Sequence, residues 1–292
     1  MSPARPEPIA ARRVLVDGVS TRYYEHGSGP AVLLVPGVAS SARDWFPVMR
    51  ELGDSCRVLA PDLPGIGGTS PLPGVEPARV AAFLAGFLDV LGVDGVTAVG
   101  HSYGGLLVAE LTLSRPGLVN RLVLVDACGL GRAAHPAAIA LGMLPERAAD
   151  ALSALMSLPG SQIPLALSTL LLLRQPWRVP LRTWLAQARL SHSRQALRTS
   201  LEVFRECADA TGQRRDILVV DRLPRIRVPT LVVWGDGDPL FPFWQGRAAA
   251  RRLPAGRFVL LVGAGHVSYL DRHTDFMDAL GPFARDSADR LP

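Results

Sequence analysis

Short apolar runs alternate along the chain with longer stretches of helical periodicity, a pattern typical of a parallel sheet with crossover helices. From the third run onward the apolar residues are continuous rather than alternating, which indicates strands buried on both faces. The runs predict strands over residues 13–16, 21–25, 31–35, 57–60, 96–99, 122–125, 230–234 and 258–262. The helical stretches predict helices over residues 77–91, 103–114, 243–252 and 269–285.

Two parts of the chain depart from this alternation. The first two strands flank Asp17-Gly18 at hairpin spacing, so we expect them to pair antiparallel. Residues 129–222 are rich in Ala, Leu, Arg and Pro without a strand signal, which predicts a helical insertion between two strands. The sequence therefore divides into a disordered N-terminal segment at 1–12, an α/β core at 13–128 and 223–286, and a helical insertion at 129–222.

The charge composition excludes several classes of enzyme. The 292 residues include 31 basic and 26 acidic ones, giving a net charge of +5, and every basic residue is arginine. Pyridoxal-phosphate enzymes, Schiff-base aldolases, P-loop NTPases and protein kinases each need a lysine, so none of them fits. The arginines are scattered without an aromatic-interleaved basic stripe, so we expect no nucleic-acid partner.

The cysteines and the apolar segments bear on the compartment. Cys56, Cys128 and Cys207 are far apart and odd in number, which predicts neither a disulfide framework nor a zinc site. The N-terminus lacks the apolar centre of a signal peptide. The apolar run at 165–173 is too short to cross a bilayer, so a buried helix of the insertion is favoured over a lipid-facing one. We therefore expect a cytoplasmic protein without stable membrane insertion, and no pattern indicates an oligomeric state.

A serine motif provides the candidate chemistry. Residues 100–105 (Gly-His-Ser-Tyr-Gly-Gly) join a predicted strand to a predicted helix, the setting in which G-x-S-x-G exposes a nucleophile on a sharp turn. Such a turn needs small neighbours, and Gly100 and Gly104 supply them. The N–H groups that begin the following helix can stabilise a developing oxyanion. The alternative interpretation is a glycine-rich packing turn.

Around this motif the chain resembles the α/β-hydrolase fold family, in particular its cap-bearing serine hydrolases. Residues 33–37 are similar to the strand before the oxyanion loop, and residues 62–70 to the D-x-P-G-x-G-x-S turn. Residues 234–239 resemble the segment of the catalytic acid, and residues 263–266 that of the catalytic histidine. The resemblance implies an α/β-hydrolase fold, with a mostly parallel eight-stranded sheet flanked by helices and an inserted helical cap.

The resemblance assigns roles to three residues, in the order Ser, Asp, His that this fold uses. Ser102 is the expected nucleophile, His266 its general base and Asp238 the carboxylate that orients the imidazole. Asp238 and His266 each follow the end of a predicted strand, where parallel sheets place their sites. The alternatives are Asp236 and Asp126 for the acid and His101 for the base, whereas Asp62 is expected to brace its turn.

The resemblance also places an oxyanion hole at the backbone N–H groups of Val38 and Tyr103. Most relatives carry His-Gly in the oxyanion loop, whereas this chain has Pro36-Gly37. The proline does not remove the donor, which belongs to Val38, but it fixes φ and restricts the residue before it. Trp45, farther along, either lines the acyl side of the substrate pocket or packs in the core.

These residues predict a serine hydrolase that cleaves a carboxylic ester through an acyl-enzyme. The Ala- and Leu-rich insertion favours a small or medium-sized hydrophobic substrate. Serine at the nucleophile position argues against epoxide hydrolases and dehalogenases, which use aspartate. Carbon–carbon bond hydrolases typically have an aromatic residue where this chain has Val267, and they remain an alternative, as do thioesterases, lactonases, and non-hydrolytic acyltransferases, lyases or cyclases. No metal motif or dinucleotide fingerprint is present in the sequence, so we expect no metal and no cofactor.

Overall fold

The computed structural model describes residues 9–158, 160–161, 170–178 and 193–285. Its strands, in chain order, are β1 (Ala11–Val16), β2 (Val19–His26), β3 (Ala31–Val35), β4 (Arg57–Pro61), β5 (Val96–His101), β6 (Val119–Val125), β7 (Ala208–Asp209), β8 (Gly212–Gln213), β9 (Thr230–Gly235) and β10 (Gly256–Leu261). Eight of them form one sheet in the order β1-β2-β4-β3-β5-β6-β9-β10. The β1–β2 and β2–β4 pairs are antiparallel, and the remaining neighbours are parallel.

Helices cover both faces of this sheet. In chain order, the helices among the described residues are α1 (Phe46–Leu52), α2 (Pro77–Val90), α3 (Tyr103–Ser114), α4 (Pro136–Gly142), α5 (Glu146–Met156), α6 (Arg194–Cys207), α7 (Phe243–Arg252), α8 (Ser268–Asp271) and α9 (His273–Arg285), of which α4, α5 and α6 belong to the insertion. Leu33 and Val35 of β3 share an apolar cluster with α2, α3 and α7, whereas Val32 and Leu34 share the opposite cluster with α1, α8 and α9. Because alternate residues serve two cores, the central strands are apolar throughout.

The α/β-hydrolase fold predicted from the sequence is confirmed, with all eight strands of the sheet present. The opening hairpin is also confirmed, because Asp17 and Gly18 both have positive φ, at 45° and 81°, between antiparallel strands. The predicted helix over 269–285 is instead two helices, α8 and α9. Arg272 separates them because its backbone leaves the helical region, with φ −127° and ψ 54°.

The predicted disordered segment at 1–12 is wrong at its end, because Ala11 and Arg12 pair with Tyr24 and Tyr23 in the sheet. Residues 1–8 lie outside the described residues. Of the apolar run at 165–173, the part at 165–169 also lies outside them, while Leu173 is buried. Within the described ranges, no helix combines the length and the apolar character needed to cross a membrane.

The insertion, residues 126–229 between β6 and β9, contributes helices that pack on one another. Both α4 and α5 contact α6. Its β7–β8 pair is a short antiparallel hairpin that the sequence did not indicate, because two residues per strand are too few to form an apolar run. The boundaries 129–222 of a separate cap domain stay a prediction.

Candidate active site

Ser102 lies on a strained turn between β5 and α3. Its backbone has φ 54° and ψ −119°, a conformation that residues other than glycine rarely adopt. A Cβ on Gly100 would lie 2.2 Å from the carbonyl oxygen of Gly104, and a Cβ on Gly104 would lie 2.4 Å from that of Val35. Both positions therefore require glycine, because a side chain at either one would overlap the neighbouring backbone.

A continuous line of hydrogen bonds leads away from the serine hydroxyl. His266 Nε2 is 3.0 Å from Ser102 Oγ, and His266 Nδ1 is 3.0 Å from Oδ2 and 3.1 Å from Oδ1 of Asp238. The carboxylate can only accept, so Nδ1 carries the proton and Nε2 is free to accept from the hydroxyl. Asp238 Oδ1 also accepts from the N–H groups of Leu240 at 2.8 Å and Phe241 at 3.1 Å, which fixes the carboxylate.

The charges around His266 favour its action as a base. Burial by itself lowers the pKa of His266, but the charge and the hydrogen bond of Asp238, together with the charge of Asp126, outweigh it and raise the pKa above 6.5. The imidazole and the carboxylate are both almost completely inaccessible to solvent. The pair can therefore accept a proton from Ser102 and stabilise the charged imidazole that results.

The two alternative acids bind backbone instead of the imidazole. Asp126 accepts from Gly235 N–H at 2.8 Å, and from the hydroxyl of Ser268 at 2.5 Å and its N–H at 3.3 Å. Asp236 accepts from Gly263 N–H at 2.8 Å, which joins the acid loop to the histidine loop. The arrangement selects Asp238 as the partner of His266 and gives the other two carboxylates bracing contacts.

Asp62 braces the turn after β4 in the same way. Its fully buried carboxylate accepts from the N–H groups of Ala42 and Gly68, each at 3.0 Å, and from Arg22 Nε at 2.6 Å. Ala42 follows the loop after β3, so Asp62 ties that loop to the turn after β4.

His101 faces away from the serine hydroxyl. Its Nε2 donates to the carbonyl oxygen of His266 at 2.8 Å, and burial, with a smaller contribution from His266, lowers the pKa of His101 to about 3. The ring is therefore neutral, and it supports the backbone of His266. The sequence placed His101 beside the nucleophile, but only the fold shows which carbonyl it contacts.

Two backbone N–H groups point to an anion site beside Ser102. Within the described residues, neither Val38 N–H nor Tyr103 N–H donates to an acceptor. A Cβ on Gly37 would lie 3.1 Å from Ser102 Cβ, so the Pro36-Gly37 loop packs directly against the serine. The role of Val38 and Tyr103 as an oxyanion hole stays a prediction.

Trp45 belongs to the core and not to a pocket wall. Its indole is fully buried and stacks on Tyr269, with ring centroids 4.2 Å apart. The packing alternative therefore describes Trp45, and its assignment to substrate binding is corrected. Among the described residues, no group of three or more His, Cys, Asp or Glu side chains could hold a metal ion.

The mostly parallel sheet, the strained serine between β5 and α3, and the histidine and aspartate after neighbouring strands define an α/β hydrolase. The sequence profile of the alpha/beta hydrolase fold matches residues 30–273, and the chain belongs to this family.

Relatives and solved structures of this family differ in activity. The chain is 30% identical over 274 residues to the dihydrolipoyllysine-residue acetyltransferase component of the acetoin cleaving system from Cupriavidus necator, covering 89% of this chain and 65% of that protein. It is 41% identical over 125 residues to a 2-hydroxy-6-oxo-2,4-heptadienoate hydrolase from Pseudomonas putida, covering 41% of this chain and 45% of that one. A thermophilic esterase from Thermogutta terrifontis superposes with a TM-score of 0.75 at 22% identity, covering 94% of this chain and 98% of the other.

Proposed function

We propose that the chain is a serine hydrolase that cleaves carboxylic esters of small or medium-sized hydrophobic substrates. One observation carries the proposal: Ser102 Oγ, His266 and Asp238 form a continuous hydrogen-bonded line, at 3.0 Å for both of its links. Tyr103 N–H, next to Ser102, and Val38 N–H, in the loop that packs against the serine, have no acceptor among the described residues and would stabilise the negative charge that develops on a substrate oxygen.

The proposed reaction follows from this geometry. Ser102 Oγ attacks the ester carbonyl while His266 Nε2 takes its proton, and the two N–H groups stabilise the oxyanion of the tetrahedral intermediate. His266 then returns the proton to the leaving alcohol, and Asp238 stabilises the imidazolium in between. Water attacks the acyl-enzyme by the same steps and releases the acid.

The insertion is proposed to act as the cap that selects the acyl group. Its segment at 170–175 contacts the histidine loop, because Leu172 O accepts from His266 N–H at 2.7 Å. The segment includes Leu170 and Leu173, which pack with Val267 beside the histidine. Apolar side chains beside the loop of the proposed base support a hydrophobic acyl group.

Steady-state hydrolysis of p-nitrophenyl esters, from acetate to long-chain acyl groups, tests the proposal. We expect turnover with an optimum at short or medium chain length, covalent labelling by a fluorophosphonate, and loss of both in Ser102→Ala. A folded wild-type protein that neither turns over nor reacts with the fluorophosphonate would contradict the hydrolase and favour a non-hydrolytic role. Labelling without ester turnover would favour thioesters, lactones or another acyl acceptor.

Carbon–carbon bond hydrolysis is the second candidate. The 41% identity over 125 residues with the heptadienoate hydrolase favours it, whereas Val267, where such enzymes typically carry an aromatic residue, opposes it. A 2-hydroxy-6-oxo-dienoate offered beside the ester series separates the two, because its cleavage removes the dienoate absorbance. Faster turnover of the dienoate than of every ester would replace the proposed activity with this one.

A further inference from the structure

Asp271, at the end of α8, is a buried carboxylate with three backbone partners. Its Oδ2 accepts from Gly265 N–H at 2.7 Å and from Arg174 N–H at 2.9 Å, and its Oδ1 accepts from Gln175 N–H at 2.9 Å. The side chain is fully buried, and no described cation lies within 4.0 Å of it. N–H dipoles alone therefore compensate this charge, and two of the three belong to the insertion.

The segment at 170–175, here named the docking segment, also binds the histidine loop directly. His266 N–H donates to Leu172 O at 2.7 Å, and Gln175 Nε2 donates to Gly263 O at 2.9 Å. A Cβ on Gly265 would lie 2.3 Å from Leu172 O, so only glycine lets the two backbones approach this closely. The insertion thus holds the backbone of His266 as well as that of Gly263.

The docking segment reaches the acid loop as well. A Cβ on Gly237 would lie 2.5 Å from Arg174 Nε, so the arginine side chain covers the residue before Asp238. Leu173 is buried beside Val267 and Leu270, which anchors the segment between its polar contacts. One short piece of the insertion therefore contacts the loops that carry both the base and the acid.

We propose that Asp271 is a positioning residue that couples docking of the insertion to the alignment of His266. The inference rests on the proposed function, in which His266 is the base for Ser102. With the segment docked, the N–H groups of Gly265 and His266 are both bonded and the imidazole lies 3.0 Å from Ser102 Oγ. Release of the segment leaves two of the three donors of Asp271 without their acceptor and removes the acceptor of His266 N–H, so the histidine loop loses its fixed position.

The test compares Asp271→Asn with Asp278→Asn, which makes the same carboxylate-to-amide change at an exposed position on α9. An amide replaces one acceptor oxygen by a donor that faces an N–H group, so Asp271→Asn breaks the contact while keeping the side-chain shape. We expect it to lower both kcat for an ester and the rate of fluorophosphonate labelling by about tenfold or more, with KM little changed. Asp278→Asn should match the wild type.

Hydrogen exchange supplies a readout that does not depend on activity. In Asp271→Asn we expect faster amide exchange in peptides covering 170–178 and 263–271, with unchanged exchange in β5 and α3. Gln175→Ala weakens docking from the side of the insertion, because it removes the side-chain bond to Gly263 O while the backbone N–H bond to Asp271 remains. It should accelerate exchange in the same peptides and lower the labelling rate, and the double variant should lose less than the product of the two single losses.

The outcomes separate the possible failures. Labelling and kcat within about twofold of wild type in folded Asp271→Asn overturn the positioning role, even if exchange is faster, because Asp271 is then only an anchor. If Asp271→Asn does not fold, Gln175→Ala decides: a slower labelling rate with faster exchange supports the coupling, and an unchanged rate overturns it. A wild type that the fluorophosphonate does not label overturns the proposed function, and the role of Asp271 falls with it.

Discussion

Two histidines of the site are both buried, yet their pKa values shift in opposite directions. His101 donates to the carbonyl oxygen of His266, and burial, with a smaller contribution from His266, lowers its pKa to about 3, so the ring stays neutral. His266 is buried to the same degree, but the carboxylate of Asp238 at 3.0 Å and the charge of Asp126 raise its pKa. The difference between a bracing and a reacting histidine thus comes from the charge beside the ring, not from its exposure.

This contrast predicts the pH dependence of the reaction. His266 must be unprotonated to accept the proton of Ser102, so kcat/KM should fall as the pH drops through the pKa of His266, with a midpoint above 6.5. Asp238→Asn removes the charge that raises this pKa, so the midpoint should move to lower pH. The same variant should lower the plateau by about 10³–10⁴-fold, because the tautomer is no longer fixed.

Profiles of kcat/KM for a p-nitrophenyl ester between about pH 5 and pH 9 measure both effects. Asp278→Asn, an exposed carboxylate on α9, serves as the control and should reproduce the wild-type profile. The same midpoint in Asp238→Asn as in the wild type would refute the assigned pair.

At the scale of elements, the site depends on how closely β3 and α3 approach. A Cβ on Gly104 would lie 2.4 Å from Val35 O and 2.5 Å from Pro36 O. Both obstacles are backbone atoms, which cannot turn aside as a flexible side chain can. The first turn of α3 carries Tyr103 N–H, and the loop after β3 carries Val38 N–H. These two segments can lie this close together only because residue 104 has no side chain.

Gly104→Ala should consequently be costly, and Gly117→Ala provides its matched control. We expect Gly104→Ala to lower the free energy of unfolding by about 3 kcal/mol and to abolish fluorophosphonate labelling of any folded fraction, because the N–H groups separate. A Cβ on exposed Gly117 meets nothing within 4 Å, so Gly117→Ala should be neutral or stabilise by up to about 1 kcal/mol. Urea unfolding measures both, and equal effects would show that close packing at Gly104 is unimportant.

The elements of the sheet could be predicted because each buried strand is a continuous apolar run, whereas the candidate triad is assigned from the resemblance of its motifs to those of the family. The β7–β8 hairpin could not be predicted, since two residues per strand leave no apolar pattern in the sequence. The proposed role of Asp271 could not be predicted either, because its partners Arg174 and Gln175 lie 97 and 96 residues away in an insertion without a motif. Contacts between a regular core and an irregular insertion are set by tertiary packing, which local sequence does not encode.

At the scale of the whole molecule, the core and the insertion meet around a second set of buried contacts. Gln213 of β8 accepts from Cys128 Sγ at 3.2 Å and from Gly129 N–H at 2.7 Å, where the chain leaves β6. Cys207, at the end of α6, lies in the same cluster, and a hydrogen bond with Cys128 together with burial raises the pKa of the Cys207 thiol. Cys56 belongs to the opposite cluster, under α1.

The reactivity of the three cysteine thiols therefore measures the order in which parts of the protein unfold. All three are free and buried, so none should react with a thiol reagent in the native protein, and all should react in denaturant. If the insertion undocks from the core before the sheet unfolds, Cys128 and Cys207 should become reactive at low urea, while Cys56 stays protected until global unfolding. Pulsed alkylation with peptide mass spectrometry resolves the order, and Cys56→Ser should leave the reactivity of the other two unchanged.

Simultaneous reaction of all three thiols at every urea concentration would show instead that the core and the insertion unfold as one cooperative unit. The insertion would then not move independently over the serine.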